Sequence, residues 1–514
     1  MSRRAPPPPA QARQALPAQA RRAPSPPQPF PEALFGQAMT LHQAGALPAA
    51  ESAYRAVLAA SPRHAATMTL LATVVAQTGR PEEAVRLFDA SLKLDRNQEL
   101  AWFNRGNALF SLKRYAEALA SYNRAVALWP GHAPLQNNRG NALFGLGRKL
   151  EALAAFDRAI RTAPDYAEAH FNRGNVLRAL DRRTEALASF DRAAALAPDH
   201  ADLQFNRGLL RLRQGDYTEG WPLIEWRWLV PDAPPRRVFS QKLWLGEEDI
   251  AGKTLLLHAE QGFGDTIQYC RYAPLAAERG ARVVLEVQRP LVPALVGLEG
   301  VAQLVAAGDA LPPFDLHCPL MSLPLAFRTG LDSVPRRVPY LRAAPERVRD
   351  WAARLGDRGR SPRVGLVWAG SAANTNDAQR SAGLRALLPL LGCGAELVAL
   401  QKDLSAADRT LLAATPGLRP LGDELADFGD TAAVLESLDL VVTVDTAVAH
   451  LAGALGRPVW VMLSPAADWR WLAGEADAPW YTTARLFRWD SAKGWSGVVA
   501  SVKAALIEFC RDQG

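Results

Sequence analysis

Cysteine is scarce in this sequence, and long uncharged runs are absent. Four cysteines occur among 514 residues, at positions 270, 318, 393 and 510, and no two have CxxC spacing. Such separated thiols are typical of a reducing compartment and disfavour a disulfide framework or a zinc site. No uncharged run reaches the roughly 20 residues that span a bilayer, and no apolar stretch of signal-peptide length is present. We therefore expect a cytoplasmic protein without a transmembrane segment.

Acidic residues are missing from the first 30 positions, whereas five arginines are present there. This segment accounts for five of the seven net positive charges, so the rest of the chain is close to neutral. A nucleic-acid-binding surface requires an excess of positive charge, which a near-neutral chain lacks, so we expect no nucleic-acid partner. The segment is rich in Pro, Ala, Arg and Gln and cannot bury enough apolar surface to fold. Residues 1–30 are therefore predicted to be a disordered tail.

The next 200 residues, positions 31–230, repeat every 34 residues. Small residues recur at Ala38, Ala72, Gly106, Gly140, Gly174 and Gly208, and aromatic residues recur at Tyr54, Phe88, Tyr122, Phe156 and Phe190. Small side chains let paired helices approach closely, and the aromatic ring fills the gap between repeats. The pattern resembles the tetratricopeptide (TPR) repeat, with five full copies and a partial sixth. It predicts an α solenoid whose concave face binds a peptide or another protein.

An asparagine also recurs in this register, two positions before the small residue. The four positions are Asn104, Asn138, Asn172 and Asn206. An amide has both donors and acceptors, so a row of amides can hold the backbone of an extended acceptor peptide. The row resembles the asparagine ladder of the O-linked N-acetylglucosamine transferases. The alternative is that asparagine is simply common at this position of TPR repeats.

Three tryptophans, Trp221, Trp226 and Trp228, close the repeat region. We expect them to cap the solenoid and to pack against the next domain, because they are too apolar for water. The proline-rich segment 231–235 then interrupts the helix. Residues 231–252 are predicted to form a linker.

The second half alternates short apolar runs with amphipathic segments. The runs are TLLLHAE, RVVLEV, FDLHCPL, RVGLVWAG, ELVALQ, LVVTVD and PVWVML. Apolar runs separated by helices predict parallel strands covered on both faces, which is an α/β architecture. The charged segment around 343–362 separates two such sheets. We expect an N-terminal lobe at 253–345 and a C-terminal lobe at 346–514, with a ligand at the carboxyl ends of the strands.

Polar residues interrupt the pattern where two of these strands end. Gly262, Gly264 and Asp265 follow the first run, whereas Asp445 and Thr446 follow LVVTV, with His450 one helical turn later. Helix N-terminal amides beside a hydroxyl and an imidazole suit a phosphate. Taken alone, the first motif is weak, because any short strand-to-helix turn can use glycine and an aspartate cap, and the second is better explained by a threonine cap with a buried histidine.

Both motifs occur together with other matching stretches, among them GDTIQYCRYAPLAAERGA, VGLVWAGS, RSAGLRALLPLL, LVALQKD, DTAVAHLAGALG and DWRWL. They resemble the glycosyltransferase domain that follows TPR arrays in many bacterial proteins. That domain is similar to the ADP-heptose lipopolysaccharide heptosyltransferases of glycosyltransferase family 9. The resemblance covers about residues 250–512 and implies a GT-B fold, in which two facing Rossmann-like lobes hold a nucleotide-sugar. It implies an inverting transferase.

The resemblance also implies roles for individual residues. Asp265 matches the proposed base, and Glu260 and His258, at the end of the same strand, are the alternatives. The implied donor-binding residues are Gly262, Gly264, Arg380, Ser381, Gln401, Lys402, Asp445, Thr446, Ala447 and His450. For Gln401 and Lys402 a solvated loop is an equal alternative. Because the sequence lacks an Asp-x-Asp triplet, we expect neither a metal nor another cofactor, only a nucleotide-sugar substrate.

These features favour a glycosyltransferase whose repeats recruit the acceptor, either a protein such as flagellin or a surface-glycan intermediate. The alternative is a non-catalytic TPR scaffold whose second half binds a nucleotide-sugar without turnover. The presence of Asp265 together with Asp445, Thr446 and His450 favours the enzyme.

Overall fold

The computed structural model describes residues 30–231, 233, 235–357, 359–370, 380–465, 467–474, 478–490 and 492–513. The tail predicted to be disordered, residues 1–30, lies outside the described residues except for Phe30. The chain divides into two compact units, Met1–Val176 and Leu177–Gly514. The predicted domain limits at 231, 253 and 346 stay predictions.

Twelve helices follow the 34-residue period in the described part of the repeat region. Their bounds are Glu32–Gln43 (α1), Leu47–Ala60 (α2), Ala65–Gln77 (α3), Pro81–Leu94 (α4), Glu99–Ser111 (α5), Tyr115–Leu128 (α6), Ala133–Gly145 (α7), Lys149–Thr162 (α8), Ala167–Ala179 (α9), Arg183–Leu196 (α10), Ala201–Arg213 (α11) and Tyr217–Ile224 (α12). A 3₁₀ turn, Glu225–Trp228, continues α12. The first unit contains α1–α8 and most of α9, and the second unit begins within α9.

The recurring small residues lie where the two helices of one repeat cross. A Cβ atom on Gly140 would be 2.6 Å from the ring of Phe156, and one on Gly106 would overlap the ring of Tyr122. Both rings are buried. The predicted close approach of paired helices is therefore seen, and each of these rings packs on the small residue of its own repeat.

Two parallel sheets form the α/β region of the second unit. The strands are Lys242–Leu243 (β1), Thr254–His258 (β2), Arg282–Val287 (β3), Val301–Ala306 (β4), Leu316–Pro319 (β5), Arg363–Val367 (β6), Glu396–Ala399 (β7), Leu418–Pro420 (β8), Leu440–Val444 (β9), Val459–Leu463 (β10) and Ala484–Arg488 (β11). Among the described residues the first sheet has the order β1-β5-β2-β3-β4 and the second β11-β10-β9-β6-β7-β8. The predicted fold class, helical repeats followed by Rossmann-like α/β lobes, is confirmed.

Helices of 4 to 20 residues connect and cover these strands. Their bounds are Phe263–Tyr269 (α13), Ala273–Glu278 (α14), Val292–Leu295 (α15), Leu323–Ala326 (α16), Pro345–Leu355 (α17), Leu384–Leu387 (α18), Ala406–Ala413 (α19), Phe428–Glu436 (α20), Ala447–Ala454 (α21) and Gly494–Gln513 (α22). The inner strands are buried on both faces, as the predicted apolar runs require. β1 lies inside the predicted linker 231–252 and pairs with β5.

The last repeat helices pack on the α/β region within the second unit. Trp221 is buried, donates its indole N–H to the carbonyl of Thr329 at 2.8 Å, and meets Trp469 edge to face at 5.1 Å. Arg227 is buried as well and pairs with Glu260 at 2.9 Å. Trp221 therefore packs as predicted. Trp226 and Trp228 are only half-buried.

Candidate active site

The second sheet becomes polar immediately after β9. The strand is buried throughout, and α21 begins three residues after its end, with Thr446 as the N-cap residue. The Thr446 hydroxyl does not accept from the helix and instead lies 3.0 Å from the hydroxyl of Thr443. The first amides of α21 thus have no N-cap side chain as acceptor, a favourable arrangement for an anion.

The first sheet leads from β2 into α13 through Gly262. Asp265 accepts the backbone N–H of Gly262 through Oδ2 at 3.0 Å. This contact is the return half of a capping box, in which the third residue of the helix satisfies the N-cap amide. Asp265 therefore helps to start the helix, whatever else it does.

The two motifs meet although they come from different sheets. A Cβ atom on Gly264 would lie 2.8 Å from Cδ2 of His450 and 3.6 Å from Cα of Ala447. Only glycine allows α13 to approach α21 so closely. The structure therefore brings together Gly264, Ala447 and His450, with Asp265 as the next residue of α13.

Arg470 is the main partner of Asp265. Its guanidinium donates from Nη2 to Oδ1 of Asp265, and its own side chain is buried. The Asp265 side chain is 20% exposed, so it remains accessible. Burial raises the pKa of Asp265 above its ordinary value, whereas the charge of Arg470 partly offsets this rise.

His450 is a buried imidazole held by aromatic neighbours. Its Nδ1 lies 2.9 Å from the hydroxyl of Tyr481, and its ring stacks on Trp471 with centroids 5.5 Å apart. Burial, and secondly Arg470, lower the pKa of His450 well below its ordinary value. The ring is thus neutral at pH 7, and if Nδ1 accepts from Tyr481 then Nε2 is the donor.

Asp445 and Arg380 form a second buried group at the end of β9. Arg380 donates to the backbone carbonyl of Asp445, and its Nη2 lies 3.8 Å from Oδ2 of the carboxylate. That oxygen is buried and has no hydrogen-bond partner in the described part of the chain. Burial raises the pKa of Asp445, and Arg380 partly offsets the rise.

Gln401 lies at the neighbouring strand end and is buried. Its Oε1 accepts the backbone N–H groups of Trp368 at 3.1 Å and of Ala369 at 2.9 Å. The side chain therefore ties the end of β7 to the end of β6, which adjoins β9 in the sheet. Gln401 therefore has a structural role and does not lie in a solvated loop. Its predicted contact with the nucleotide-sugar donor stays a prediction.

Lys402 and Ser381 also have contacts within the protein. Lys402 donates to the carbonyls of Leu425 at 2.7 Å and Ala426 at 3.2 Å. The hydroxyl of Ser381 accepts from the N–H of Gly370 at 3.2 Å. Their predicted roles in donor binding stay predictions, and neither residue is brought against Asp265 by these contacts.

The two alternative bases have different environments. Glu260 accepts from Arg227 and from the N–H of Met321, and burial raises the pKa of Glu260 to about 7. His258 is buried with its Nε2 3.3 Å from Nδ1 of His317, and burial lowers the pKa of His258 to about 3. The Glu260 side chain is only 6% exposed and is paired with Arg227, and His258 is buried against His317. Both are therefore less accessible to an acceptor hydroxyl than the partly exposed Asp265.

Sequence reasoning missed Arg470 and Asp468 as members of this site. Arg470 lies 205 residues from Asp265 along the chain, and no spacing rule connects two residues so far apart. The only signal was the stretch DWRWL, where a charged residue stands between two buried tryptophans. A buried arginine requires a partner, which this pattern leaves unidentified.

The asparagine row of the repeats is linked internally. The amide donors and their acceptors are Asn104 to Thr73 at 3.1 Å, Asn138 to Asn107 at 2.9 Å, Asn172 to Asn137 at 3.0 Å and Asn206 to the carbonyl of Asp202 at 2.7 Å. All four residues are half-buried. One donor of each amide is therefore used, and binding of a peptide by the row stays a prediction.

Two surface cavities lie beside outer strands. One of about 480 Å³ lies beside β4, and one of about 510 Å³ lies beside β8. None of the predicted site residues lines either cavity. In the described residues, no three His, Cys, Asp or Glu side chains are grouped as metal ligands. No helix in the described residues has the length and apolarity needed to cross a membrane.

Comparison with known families agrees with the helical period. The model of the tetratricopeptide repeat matches residues 9–65, 69–133, 137–198 and 173–220. The N-terminal helices are tetratricopeptide repeats. The TPR helices α11 and α12 pack on the α/β region within the second unit.

A second family model matches a shorter part of the chain. Residues 425–471 match glycosyltransferase family 9 (heptosyltransferase). This range contains Asp445, His450 and Arg470 but not Asp265. The C-terminal lobe thus carries a partial likeness to family 9.

One curated relative is the protein FlbA of Caulobacter vibrioides. It is 29% identical to this chain over 326 residues, and the match covers 58% of this chain. The match spans about half of that relative, 54% of its length.

Several solved structures resemble about a third of the chain. The MamA protein covers 33% of this chain and 93% of its own, at 23% identity and a TM-score of 0.31. YrrB, described as a TPR protein with an unusual peptide-binding site, covers 34% and 89%, at 22% identity and a TM-score of 0.30. PilF of Pseudomonas aeruginosa covers 39% and 92%, at 20% identity and a TM-score of 0.36.

Proposed function

We propose that this protein is a glycosyltransferase that moves a sugar from a nucleotide-activated donor to an acceptor hydroxyl. The observation that carries the proposal is the close approach of Gly264, the residue before Asp265, to Ala447 and His450. A carboxylate and a helix N-terminus with a neutral imidazole, brought side by side from two sheets, supply a base and an anion site. A GT-B arrangement of the lobes and a cytoplasmic location belong to the same proposal.

The proposed reaction is a single displacement at the anomeric carbon. The acceptor oxygen forms the new glycosidic bond while the bond from that carbon to the phosphate oxygen breaks. Asp265 takes the proton of the hydroxyl, and the nucleotide diphosphate leaves with the bonding electron pair. The first amides of α21, with His450 and Arg380, would stabilise the charge of the departing phosphate. This route inverts the anomeric configuration and uses neither a metal nor a cofactor.

The TPR array would recruit the acceptor. One amide donor of each asparagine in the half-buried row is used within the protein, and the Oδ1 of Asn138 also accepts from Asn137 at 3.3 Å. The second amide donors would therefore bind the peptide carbonyls. A protein such as flagellin or a glycan intermediate bound there would present its hydroxyl to the second half.

The second candidate is a TPR scaffold that binds a nucleotide-sugar without turnover. Two observations favour it: Asp265 is occupied by Gly262 and Arg470, and His450 is occupied by Tyr481. Groups that already have good partners are less available for chemistry. The nonzero exposure of Asp265 and the second nitrogen of His450 favour the enzyme.

The test uses the full-length chain with ADP-, UDP-, GDP- and CMP-sugars. Thermal shift identifies the nucleotide that binds, and release of free nucleotide with the matching donor measures turnover. We expect binding and slow hydrolysis of one donor class, with activity that survives EDTA and a product of inverted configuration. Binding without release would support the scaffold, and absence of any binding would refute both candidates.

A further inference from the structure

The guanidinium of Arg470 donates to acceptors from two parts of the fold. On its own side, the backbone N–H and Nη1 of Arg470 both donate to Oδ1 of Asp468, at 3.0 and 2.7 Å. Asp468 is the N-cap residue of the 3₁₀ turn Trp469–Trp471. The turn therefore fixes the start of the Arg470 side chain, and the guanidinium group extends toward α13.

On the other side, Arg470 contacts three residues on one face of α13. Nε donates to Oε1 of Gln268 at 2.5 Å, and Nη2 donates to the Asp265 carboxylate and to the Tyr269 hydroxyl at 3.3 Å. Positions three and four residues after Asp265 lie on the same side of a helix. The planar fork of arginine fits such a fixed set of acceptors, and lysine, a flexible point charge, does not.

The charged groups around Asp265 act on it unequally, because Arg470 contacts its carboxylate directly and Arg380 does not. The titratable and charged groups that act on it are Arg470 and Asp468 from the segment after β10, Arg380, and Tyr269 from its own helix. Arg470 is the cation in direct contact, because Arg380 acts on Asp265 only through its charge. Arg470 is covered by protein while one fifth of the Asp265 side chain stays open.

We propose that Arg470 is a positioning residue that holds the Asp265 carboxylate in its charged form and in a fixed direction from its covered side. This inference rests on the proposed function, because it assigns Arg470 to the same reaction. Four of the five guanidinium N–H groups of Arg470 already donate to Asp265, Gln268, Tyr269 and Asp468, so the residue acts mainly within the protein.

The first experiment compares the pH dependence of nucleotide release in the wild type and in Arg470→Gln. A cation beside an aspartate lowers its pKa by about one to three pH units, so its loss moves the acid limb of kcat/KM up by about that amount. We expect kcat at pH 7 to fall while KM for the donor changes less than three-fold. Arg470→Lys keeps the charge and is expected to restore the acid limb but only part of kcat.

A matched control is Arg363→Gln. Arg363 is also buried and ion-paired, with Glu396 at 2.9 Å, at the start of β6. We expect this variant to lose stability without moving the acid limb. An acid limb that moves equally in both variants, or in neither, would overturn the assignment. Higher turnover of Arg470→Gln at pH 7 would also overturn it, because Arg470 would then block Asp265.

A second measurement separates this inference from the proposed function. Denaturant midpoints from pH 4.5 to 8 are compared for wild type against Asp265→Asn, and for Arg470→Gln against the double variant. A folded-state pKa above the unfolded value makes stability fall as pH rises through it. We expect that fall to occur at higher pH without Arg470. If the fall in stability occurs at the same pH with and without Arg470, the proposed role of Arg470 is refuted. If the fall moves to a different pH but no turnover is detected, only the proposed enzymatic function is refuted.

Discussion

One carboxylate oxygen of Asp265 accepts the backbone N–H of Gly262, and the other accepts a hydrogen bond from Arg470. A substitution to Asn keeps an acceptor for the Gly262 amide but removes the basicity. We predict that Asp265→Asn lowers turnover by about 10²–10⁴-fold, which is the usual contribution of a general base. Donor affinity, measured by calorimetry, should change little. Turnover within a few-fold of wild type would return Asp265 to a helix cap and make Glu260 the next candidate.

His450 offers a second test at the residue scale. We predict that His450→Ala weakens donor binding by about ten- to a hundred-fold, since a hydrogen bond to a charged group contributes about 1.5–3 kcal/mol. Tyr481→Phe is the control, because it removes only the hydroxyl 2.9 Å from Nδ1. We expect it to weaken binding less than His450→Ala. Calorimetry that finds donor affinity unchanged in the alanine variant would leave His450 as a buried core residue.

His258 gives the stability of the protein a pH dependence. Burial lowers its pKa to about 3, so the folded state binds no proton there between about pH 6 and 4 whereas the unfolded state does. The histidine therefore contributes stability above the unfolded pKa that is lost as the pH falls. We predict that His258→Leu reduces the slope of unfolding free energy by about 1.4 kcal/mol per pH unit in that window. An unchanged slope in denaturant titrations would contradict a neutral buried His258.

Residue identities alone predicted part of this site. Asp265 and His450 were singled out because their two motifs occur together with other stretches that resemble glycosyltransferase family 9. Arg470 did not stand out, since its partners on α13 come from a different sheet and depend on how the elements pack. The internal contact of Gln401 was equally hidden, because a buried amide and a solvated one have the same sequence.

At the scale of elements, all the strands that the sequence failed to predict are edge strands. β1, β4, β8 and β11 are the outermost strands of the two sheets in the described residues. β4 is half exposed, and β1 and β8 have only 2 and 3 residues. Edge strands need no continuous apolar run, because one side of each meets solvent or a loop. The seven inner strands carry such runs, and all were predicted.

The contact of α13 with α21 depends on the absence of one side chain. We predict that Gly264→Ala destabilises the protein by about 1–3 kcal/mol and weakens donor binding, because its Cβ would overlap His450. Gly36→Ala in α1 is the matched control, since its Cβ would meet nothing within 4 Å. We expect the control to be neutral or slightly stabilising. Equal melting temperatures of the two variants would contradict the close approach.

At the scale of the whole molecule, the repeats do not end where the compact units divide. The helices α10–α12 belong to the same unit as both sheets, although their sequence continues the 34-residue period. The sequence predicted the boundary between the repeats and the α/β region at the proline-rich segment. The 34-residue period identifies the repeats but does not indicate what the last repeat packs against. Trp221 and Tyr217 are buried by contacts with Trp469 and Trp480 that only the folded chain reveals.

This division predicts two different outcomes for truncation. A chain that starts at Leu177 keeps α10–α12, and we expect it to melt within a few degrees of the wild type and to bind donor normally. A chain that starts at Lys242 exposes the apolar surface under Trp221, and we expect lower solubility and melting temperature. Both should glycosylate a macromolecular acceptor poorly. Full transfer by the Leu177 variant would refute recruitment by the repeats before that position.

The packing of Trp221 on Thr329 and Trp469 also determines where this protein can be recombined with others. A chimaera that replaces the array up to Trp228 would bring in a foreign repeat that lacks this tryptophan and the Arg227 partner of Glu260. A junction placed just after α9 would instead exchange the preceding repeats and keep the native helices α10–α12, which belong to the same compact unit as both sheets. Interchange of acceptor specificity therefore requires splicing about 50 residues earlier than the repeat pattern suggests.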